Sequence, residues 1–332
     1  MRSLRRLLGN RGGQASGPLC EVHVPLSPTP GFFAQLQLLA ASLRTYGGAL
    51  ADARIVVTVS RDCEPYDLDA HLPWARRYGI EWRWMDEQQF ARTGIFGTAV
   101  QRFTYDFEAP FVVLLDADTF CTGPLDELLE LGDRALAGLV AHVSPAWAGT
   151  PAYTGAITDD ARFWDGLYAS AGLGTPPLAC RHTGWSVMDG DPARRDCPPY
   201  FNLGVLAGTR DVVARLGSRI YAEMAEVDRY VDSVFRCQLA VTLALSRTGV
   251  AWRELPPRLN YPNDERFAAA YPGDAADVRI LHYLRGDEID RGSLATSRAQ
   301  LDAFLARTDL SPSNELLRSR IAALADQLSI DA

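Results

Sequence analysis

The segment at residues 111–120, FVVLLDADTF, constrains the fold more than any other part of this 332-residue chain. Its apolar run is rich in valine and leucine and follows Pro110, which is typical of a buried central strand of a parallel sheet. Asp116 and Asp118 then lie at the carboxyl end of the strand, where open α/β sheets bind ligands. An acidic pair alone is more often structural, because such aspartates also cap helices and accept hydrogen bonds from loop amides.

Strand and helix patterns alternate along the first part of the chain. Alternation of this kind predicts a mostly parallel sheet flanked by helices, so we expect an α/β fold in a single elaborated domain. The predicted strands are residues 21–26, 54–59 and 80–84, and the predicted helices are residues 32–46, 68–78 and 98–107.

The second part of the chain has further strand and helix patterns. Strands are predicted at residues 135–142, 200–207 and 278–283, and a further strand is predicted to end near Leu255. Helices are predicted at residues 125–129, 211–225 and 233–248. In the last predicted helix Ser311 is the expected cap, Pro312 is the first residue, and Leu317, Ile321, Leu324 and Leu328 share one face.

These patterns suggest three parts: a basic flexible tail at residues 1–19, the α/β domain at 20–292 and a helical extension at 293–332. Within the domain, residues 144–199 show little periodicity, and we interpret them as a loop excursion over the sheet, since long loops in compact domains are usually functional. Four aromatic residues there suit the wall of a sugar site: Trp147, Tyr153, Trp164 and Trp185.

Charge and composition exclude several classes of function. A formal net charge of -8 argues against a general affinity for nucleic acid. All 33 basic residues are arginine, which excludes a Schiff-base lysine and a P-loop lysine. No apolar run reaches the roughly 20 residues of a membrane span.

Cysteines and the amino terminus bear on the compartment. The six cysteines show no CxxC pair, so we expect reduced thiols and a cytoplasmic location. The basic tail, with Arg2, Arg5, Arg6 and Arg11, has two interpretations. A solvated terminus is favoured over weak peripheral contact with anionic lipid.

The acidic pair suits a divalent cation. Mg²⁺ or Mn²⁺ held by one or two carboxylates completes its shell with water and substrate phosphates, so the pair predicts a docking point for a nucleotide diphosphate. Two rival motifs fail. The phosphatase-like DxDx[TV] signature needs Thr or Val at the position of Phe120, and a Walker B strand needs a Walker A loop, which the sequence lacks.

Three motifs in order carry a family resemblance: FVVLLDAD, YFNLGVLAG at residues 200–208 and ILHYLRG at 280–286. Together they resemble the DxD, FNxG and HxxG segments of GT-A glycosyltransferases, in particular glycosyltransferase family 8 and related enzymes. The resemblance covers about residues 20–290. It implies a GT-A fold and transfer of a hexose from a nucleotide diphosphate sugar, such as a UDP-sugar, to an unknown hydroxyl acceptor, with retention of anomeric configuration.

The resemblance also implies roles for individual residues. Asp116 and Asp118 would bind Mn²⁺ or Mg²⁺, with His282 as the third protein ligand, and neutral imidazole is a suitable ligand for Mn²⁺. Gln238 and Asn202 would be the catalytic residues near the sugars. The other expected donor-binding residues are Arg102, Ala117, Gly204, Arg285 and Gly286.

Some of these roles have alternatives. Arg102 is equally well explained as an exposed helix arginine, and Gly204 as a small residue in a buried strand. Arg285 enters because the family places a lysine after HxxG, which this chain lacks, and a guanidinium can bind phosphate in a bidentate manner. The end of the first strand near Leu26 and Ser27, and the region of Asp86, would frame the nucleoside.

Two other functions remain open at this point. The altered sequence after Gly286 favours a binding or scaffold protein that has the same fold but no turnover. A nucleotidyltransferase is less consistent, because such enzymes begin with a glycine-rich loop and a lysine that are absent here after the first strand. The sequence leaves the donor base, the sugar, the acceptor and the oligomeric state open.

Overall fold

The computed structural model describes residues 18–146, 159–183 and 196–330. The strands in these ranges are β1 (Cys20–Leu26), β2 (Arg54–Val59), β3 (Ile80–Trp84), β4 (Phe111–Leu115), β5 (Thr119–Cys121), β6 (Leu136–Val140), β7 (Cys180–Arg181), β8 (Asp196–Cys197), β9 (Phe201–Thr209), β10 (Trp252–Glu254), β11 (Tyr261–Pro262) and β12 (Ile280–His282).

The helices in the same ranges alternate with these strands. They are α1 (Pro30–Tyr46), α2 (Leu68–His71), α3 (Trp74–Arg77), α4 (Glu87–Gln101), α5 (Asp126–Leu131), α6 (Asp160–Ser170), α7 (Arg210–Tyr230), α8 (Arg236–Thr248), α9 (Glu265–Ala270), α10 (Pro272–Ala275), α11 (Arg298–Leu305) and α12 (Pro312–Ala322). Short 3-10 turns lie at Gly48–Leu50, Pro257–Leu259 and Ala325–Gln327.

The central sheet of the described residues has seven strands in the order β10-β6-β9-β4-β1-β2-β3. β1 pairs in parallel with β2 and β4, as do β2 with β3 and β6 with β10. Only β9 within this sheet runs antiparallel to its neighbours, β4 and β6. The predicted mostly parallel α/β fold is therefore confirmed.

Strand β4 is buried at all of its positions because helices cover both faces of the sheet. Phe111, Val113 and Leu115 face the core that α1 and the carboxyl-terminal helices share. Val112 and Leu114 face a second core, against α7 and α8. The continuous apolar run of the sequence thus corresponds to a strand at the centre of the molecule.

A small three-stranded sheet, ordered β11-β12-β5, extends the edge where β4 ends. β5 begins one residue after Asp118, and β12 runs antiparallel to it with His282 opposite Thr119. This pairing brings a histidine from late in the chain to the two aspartates that follow β4.

Two helix predictions before the central strand were wrong. The helix expected at residues 98–107 is instead α4, Glu87–Gln101, which Asp86 caps by accepting a hydrogen bond from the Gln89 N–H at 2.8 Å. Its hydrophobic periodicity is weak, and Gly94 interrupts it with a φ of 60°. Residues 68–78 form two short helices, α2 and α3, on either side of Pro73.

The carboxyl-terminal helices pack on the domain core. Leu317 and Ile321 of α12 are buried with Leu324, whereas the helix ends before Leu328. Pro312 is the first helical residue as predicted. Ser311 precedes it, but its hydroxyl donates to Glu288 rather than capping the helix.

The proposed aromatic wall does not include Trp164. This side chain is fully buried on α6 against Phe163 and Tyr200, so it belongs to the core and cannot face a sugar. Trp147, Tyr153, Trp185 and the basic tail at residues 1–17 lie outside the described residues. Among the helices that are described, none combines the length and the hydropathy needed to span a membrane.

Candidate metal centre

Asp116, Asp118 and His282 converge at the edge between β4 and the small sheet. One ligand atom from each residue lies within 4.8 Å of the others, and no further such group of three occurs in the described residues. The His282 side chain is 6% exposed, whereas that of Asp116 is 30% exposed. Two carboxylates and an imidazole form a donor set that fits Mn²⁺ or Mg²⁺, and its open side faces solvent.

The backbone between the two aspartates turns because of local hydrogen bonds. The Asp116 N–H donates to the Gly204 carbonyl at 3.0 Å, which continues the ladder between β4 and β9. The Thr119 N–H and hydroxyl both donate to the Asp116 carbonyl. The Tyr283 N–H donates to the Asp118 carbonyl at 3.1 Å, which joins the turn to the end of β12.

Arg102 holds Asp116 from inside the protein. It lies just after α4 and is fully buried, so it is not the exposed helix arginine that the sequence allowed. Its guanidinium donates to the carbonyls of Ala99, Leu115 and Leu203 and lies 3.0 Å from Asp116 Oδ1. Burial raises the pKa of Asp116, with the charge of Arg102 opposing the effect.

Asp118 Oδ1 and His282 Nε2 lie 3.1 Å apart. Burial alone would raise the pKa of Asp118, but the charge of His282, its hydrogen bond and the charge of Arg291 outweigh burial and lower it to about 2. Burial would lower the pKa of His282, but Asp118, 3.1 Å away, raises it overall. A divalent cation at this site would compete with a proton for Nε2 of His282.

Arg291 is a site residue that the sequence did not reveal. Its Nη1 contacts Asp118 Oδ2, and the Gln35 side-chain amide donates to its carbonyl at 2.9 Å. Arg291 and Gln35 border a cleft of about 710 Å³. Residues 29–32, at the amino terminus of α1, line the same cleft. Helix amino termini favour anions, so the cleft offers positive charge next to the acidic cluster.

Arg285 and Gly286 lie apart from this arrangement. The Arg285 guanidinium pairs with Asp264 and Asp287 at a separate cleft that does not include the acidic cluster. Gly286 follows His282 by four residues, so the HxxG spacing is not met. A methyl group added at Gly286 would have its nearest contact at 3.8 Å, so the space around this residue does not require glycine. The cation that the structure brings to Asp118 is Arg291.

Asn202 and Gly204 of β9 support His282. Asn202 Oδ1 accepts from the Gly204 N–H at 2.8 Å and from the Asn260 side-chain amide at 3.0 Å. Asn260 Oδ1 in turn lies 3.0 Å from His282 Nδ1. A methyl group on Gly204 would lie 2.3 Å from that imidazole, so glycine here leaves room for the histidine ring.

The remaining predicted site residues have different surroundings. Gln238 is half-buried on α8, and its Oε1 is buried with no hydrogen-bond partner among the described residues. Ala117 is buried between the two aspartates. Of the residues expected near the nucleoside, Ser27 is buried, where its hydroxyl contacts that of Ser60, and Asp86 caps α4.

Comparison with known proteins extends these observations. A family model described as the Rhodobacterales glycosyltransferase domain matches residues 31–248. The galactosyltransferase LgtC, solved with donor and acceptor sugar analogues, is similar in structure with a TM-score of 0.52 and 17% identity, over 93% of this chain and 96% of LgtC. This likeness shows a fold of the GT-A type.

Two other glycosyltransferases align with lower scores. The bifunctional WbbM in its apo form has a TM-score of 0.49 and 12% identity over 92% of this chain and 52% of its own. Mouse xyloside xylosyltransferase 1, also apo, has a TM-score of 0.45 and 14% identity over 81% of this chain and 99% of its own. A search of curated proteins gave no match.

Proposed function

The chain belongs to the Rhodobacterales glycosyltransferase domain family, and from that premise we propose that it moves a hexose from a nucleotide diphosphate sugar to a hydroxyl acceptor with a divalent metal ion. The observation that supports this most is the convergence of Asp116, Asp118 and His282 beside a cleft of about 710 Å³. That volume is within the range of small-molecule sites.

Asp116, Asp118 and His282 would together hold Mn²⁺ or Mg²⁺. Such an ion, when bound, neutralises the charge that develops on a leaving diphosphate. Asp118 is already ionised because its pKa is low, and Arg102 fixes the orientation of Asp116 from behind. His282 is buried and held by Asn260, so its ring needs no reorganisation to bind.

Arg291 takes the role that the sequence gave to Arg285. Its side chain is 45% exposed and borders the cleft, next to the amino terminus of α1. With Asp118 engaged as a metal ligand, the guanidinium of Arg291 would be available to bind the diphosphate through two parallel N–H groups. Positive charge on both sides of the phosphates favours departure of the nucleoside diphosphate.

Gln238 is a candidate contact for the donor sugar. Its Oε1 is buried without a partner in the described part of the chain, and an unpaired buried oxygen is costly. A sugar hydroxyl that donates to it would remove this cost. The family resemblance favours retention of anomeric configuration, which NMR of the product tests.

A panel of nucleotide sugars tests the function directly. We expect mass spectrometry to show transfer or slow hydrolysis of one UDP- or GDP-sugar in the presence of Mn²⁺, and its loss when EDTA is added. Metal-dependent binding of a nucleotide sugar without any turnover would instead favour a scaffold role. Turnover that EDTA leaves unchanged would contradict the proposed metal dependence.

A further inference from the structure

A chain of hydrogen bonds leads from a backbone amide to the candidate metal ligand His282. The Gly204 N–H donates to Asn202 Oδ1 at 2.8 Å, and the Asn260 amide group lies 3.0 Å from that same oxygen. The other end of the Asn260 amide lies 3.0 Å from His282 Nδ1. Asn260 and His282 are buried, so water does not compete for the bond between them, whereas Asn202 is partly exposed.

The direction of this chain is fixed at its start. A backbone N–H can only donate, so the atom of Asn202 that faces Gly204 is the oxygen. That oxygen can only accept, so Asn260 presents its NH₂ group to it and its own oxygen to His282. An amide oxygen cannot donate, and therefore His282 Nδ1 carries a hydrogen.

We propose that Asn260 is a positioning residue that selects the imidazole tautomer required for metal binding. With one hydrogen held on Nδ1, Nε2 is the ring nitrogen left to bind a metal ion, once the hydrogen that it shares with Asp118 Oδ1, 3.1 Å away, has left. Partners of the second ring nitrogen commonly orient metal-binding histidines. The inference rests on the proposed metal site, and it adds a residue outside the three ligands.

Two substitutions at Asn260 separate tautomer selection from simple packing. Asn260→Asp keeps an acceptor at Nδ1, whereas the similarly sized Asn260→Leu removes it. We expect Mn²⁺ affinity, measured by electron paramagnetic resonance, to fall about tenfold to a hundredfold in Asn260→Leu and to stay within about threefold of wild type or increase in Asn260→Asp. Equal losses in both variants, or no loss in either, would overturn the inference.

A measurement on the metal-free protein separates tautomer selection by Asn260 from the proposed metal site. Asp118→Ala removes the competing acceptor at Nε2. In ¹⁵N spectra of this variant at a pH where the imidazole is neutral, we expect the hydrogen on Nδ1, and mixed tautomers when Asn260→Leu is added. A hydrogen on Nε2 in Asp118→Ala would refute tautomer selection. Failure of the wild type to bind Mn²⁺ with the expected tautomer intact would count against the metal site alone. Should Asn260→Leu not fold, Asn202→Ala frees the Asn260 amide to rotate and should give the same mixed tautomers.

A second inference comes from two cysteines in another part of the molecule. Cys180 of β7 is directly opposite Cys197 of β8 in an antiparallel pair. Opposite residues in such pairs have Cα atoms about 4.5–5.5 Å apart, within the range of about 4.4–6.8 Å that disulfides require. Both side chains are buried in the same core, because opposite residues lie on one face of the ladder.

We infer that Cys180 and Cys197 form a disulfide by exchange with a low-molecular-weight disulfide such as oxidised glutathione. The thiolate of one cysteine attacks the small disulfide and releases one small thiol. The thiolate of the second cysteine then displaces the other small thiol, so two protons leave the protein and one disulfide bond replaces another. The spacing of the cysteines in the sequence gave no sign of this pair.

Peptide mapping after treatment with oxidised glutathione tests the exchange. We expect one linked peptide that contains Cys180 and Cys197 and is two hydrogens lighter than the two separate peptides. Cys20 and Cys121 are also buried but face Phe111 and Ile280 across their strands, so they serve as internal controls and should remain thiols. Exposed Cys63 should carry only glutathione. Recovery of Cys180 and Cys197 as free thiols after prolonged treatment, with Cys63 modified, would overturn the inference.

Discussion

Two arginines contact the two aspartates of the DAD motif, and they do so in different ways. Arg102 is fully buried and is fixed by three backbone carbonyls as well as by Asp116. Arg291 is 45% exposed and reaches Asp118 from the edge of the cleft. One aspartate is therefore held by a fixed, buried guanidinium, whereas the other is held by a guanidinium at the surface that is able to move.

The comparison shows how one short motif serves both stability and binding. The carbonyls that Arg102 binds belong to Ala99, Leu115 and Leu203, so the guanidinium ties the end of α4 to β4 and β9. Arg291 lies in a loop between β12 and α11, where side chains can move without disturbing the sheet. We therefore expect substitutions at the two arginines to change different properties.

Loss of the buried arginine should have the largest effect. Arg102→Met leaves Asp116 and three carbonyls without their buried partner, so the free energy of unfolding should fall by about 3–5 kcal/mol. Arg291→Met is the matched control and should change it by about 1 kcal/mol or less, since the Arg291 side chain is 45% exposed. Urea denaturation of both variants measures this, and equal effects would contradict the comparison.

Loss of the exposed arginine should instead weaken donor binding. Arg291→Ala removes charged hydrogen bonds to the diphosphate worth about 1.5–3 kcal/mol, so the KM for the nucleotide sugar should rise about tenfold to a hundredfold. Arg285→Ala, which removes a guanidinium that pairs with Asp264 and Asp287, should have little effect. A larger effect at Arg285 than at Arg291 would restore the original assignment of the diphosphate contact.

Acid stability of the metal-free protein should show a smaller effect, from Asp118. The folded pKa of Asp118, about 2, lies below the usual 3.8. The ionised carboxylate therefore stabilises the folded protein at pH values above 3.8, and this stabilisation is lost as the pH falls towards 2. At pH 5 Asp118→Asn should be about 2 kcal/mol less stable than wild type, and the difference should disappear near pH 2. A difference that does not change between these pH values would show that Asp118 is not held ionised.

The sequence predicted the acidic edge well because its signals are local. A continuous apolar strand followed by two aspartates needs no long-range information to be placed at the carboxyl edge of a sheet. The approach of His282 followed from the order of three motifs, and the pairing of β12 with β5 produces the contact. The antiparallel placement of β9 between β4 and β6 depends on long-range pairing and had no comparable local signal.

Arg291 could not be identified from the sequence because its contact depends on tight packing elsewhere. A methyl group on Gly31 would lie 2.4 Å from the Gly292 carbonyl, so this glycine lets the start of α1 lie against the loop that carries Arg291. Arg285 was chosen by proximity to a motif instead. Trp164 was misplaced because composition alone does not distinguish a core tryptophan from one that faces a ligand.

The central claim is that Asp116, Asp118 and His282 hold a divalent cation that in turn holds the diphosphate of the donor. Calorimetric titration with UDP and with GDP, each with and without Mn²⁺, tests it in wild type and in Asp118→Ala. We expect nucleotide binding by wild type that depends on Mn²⁺, and loss of this dependence in a variant that still folds. Mn²⁺-dependent binding of wild-type strength in Asp118→Ala would contradict the claim.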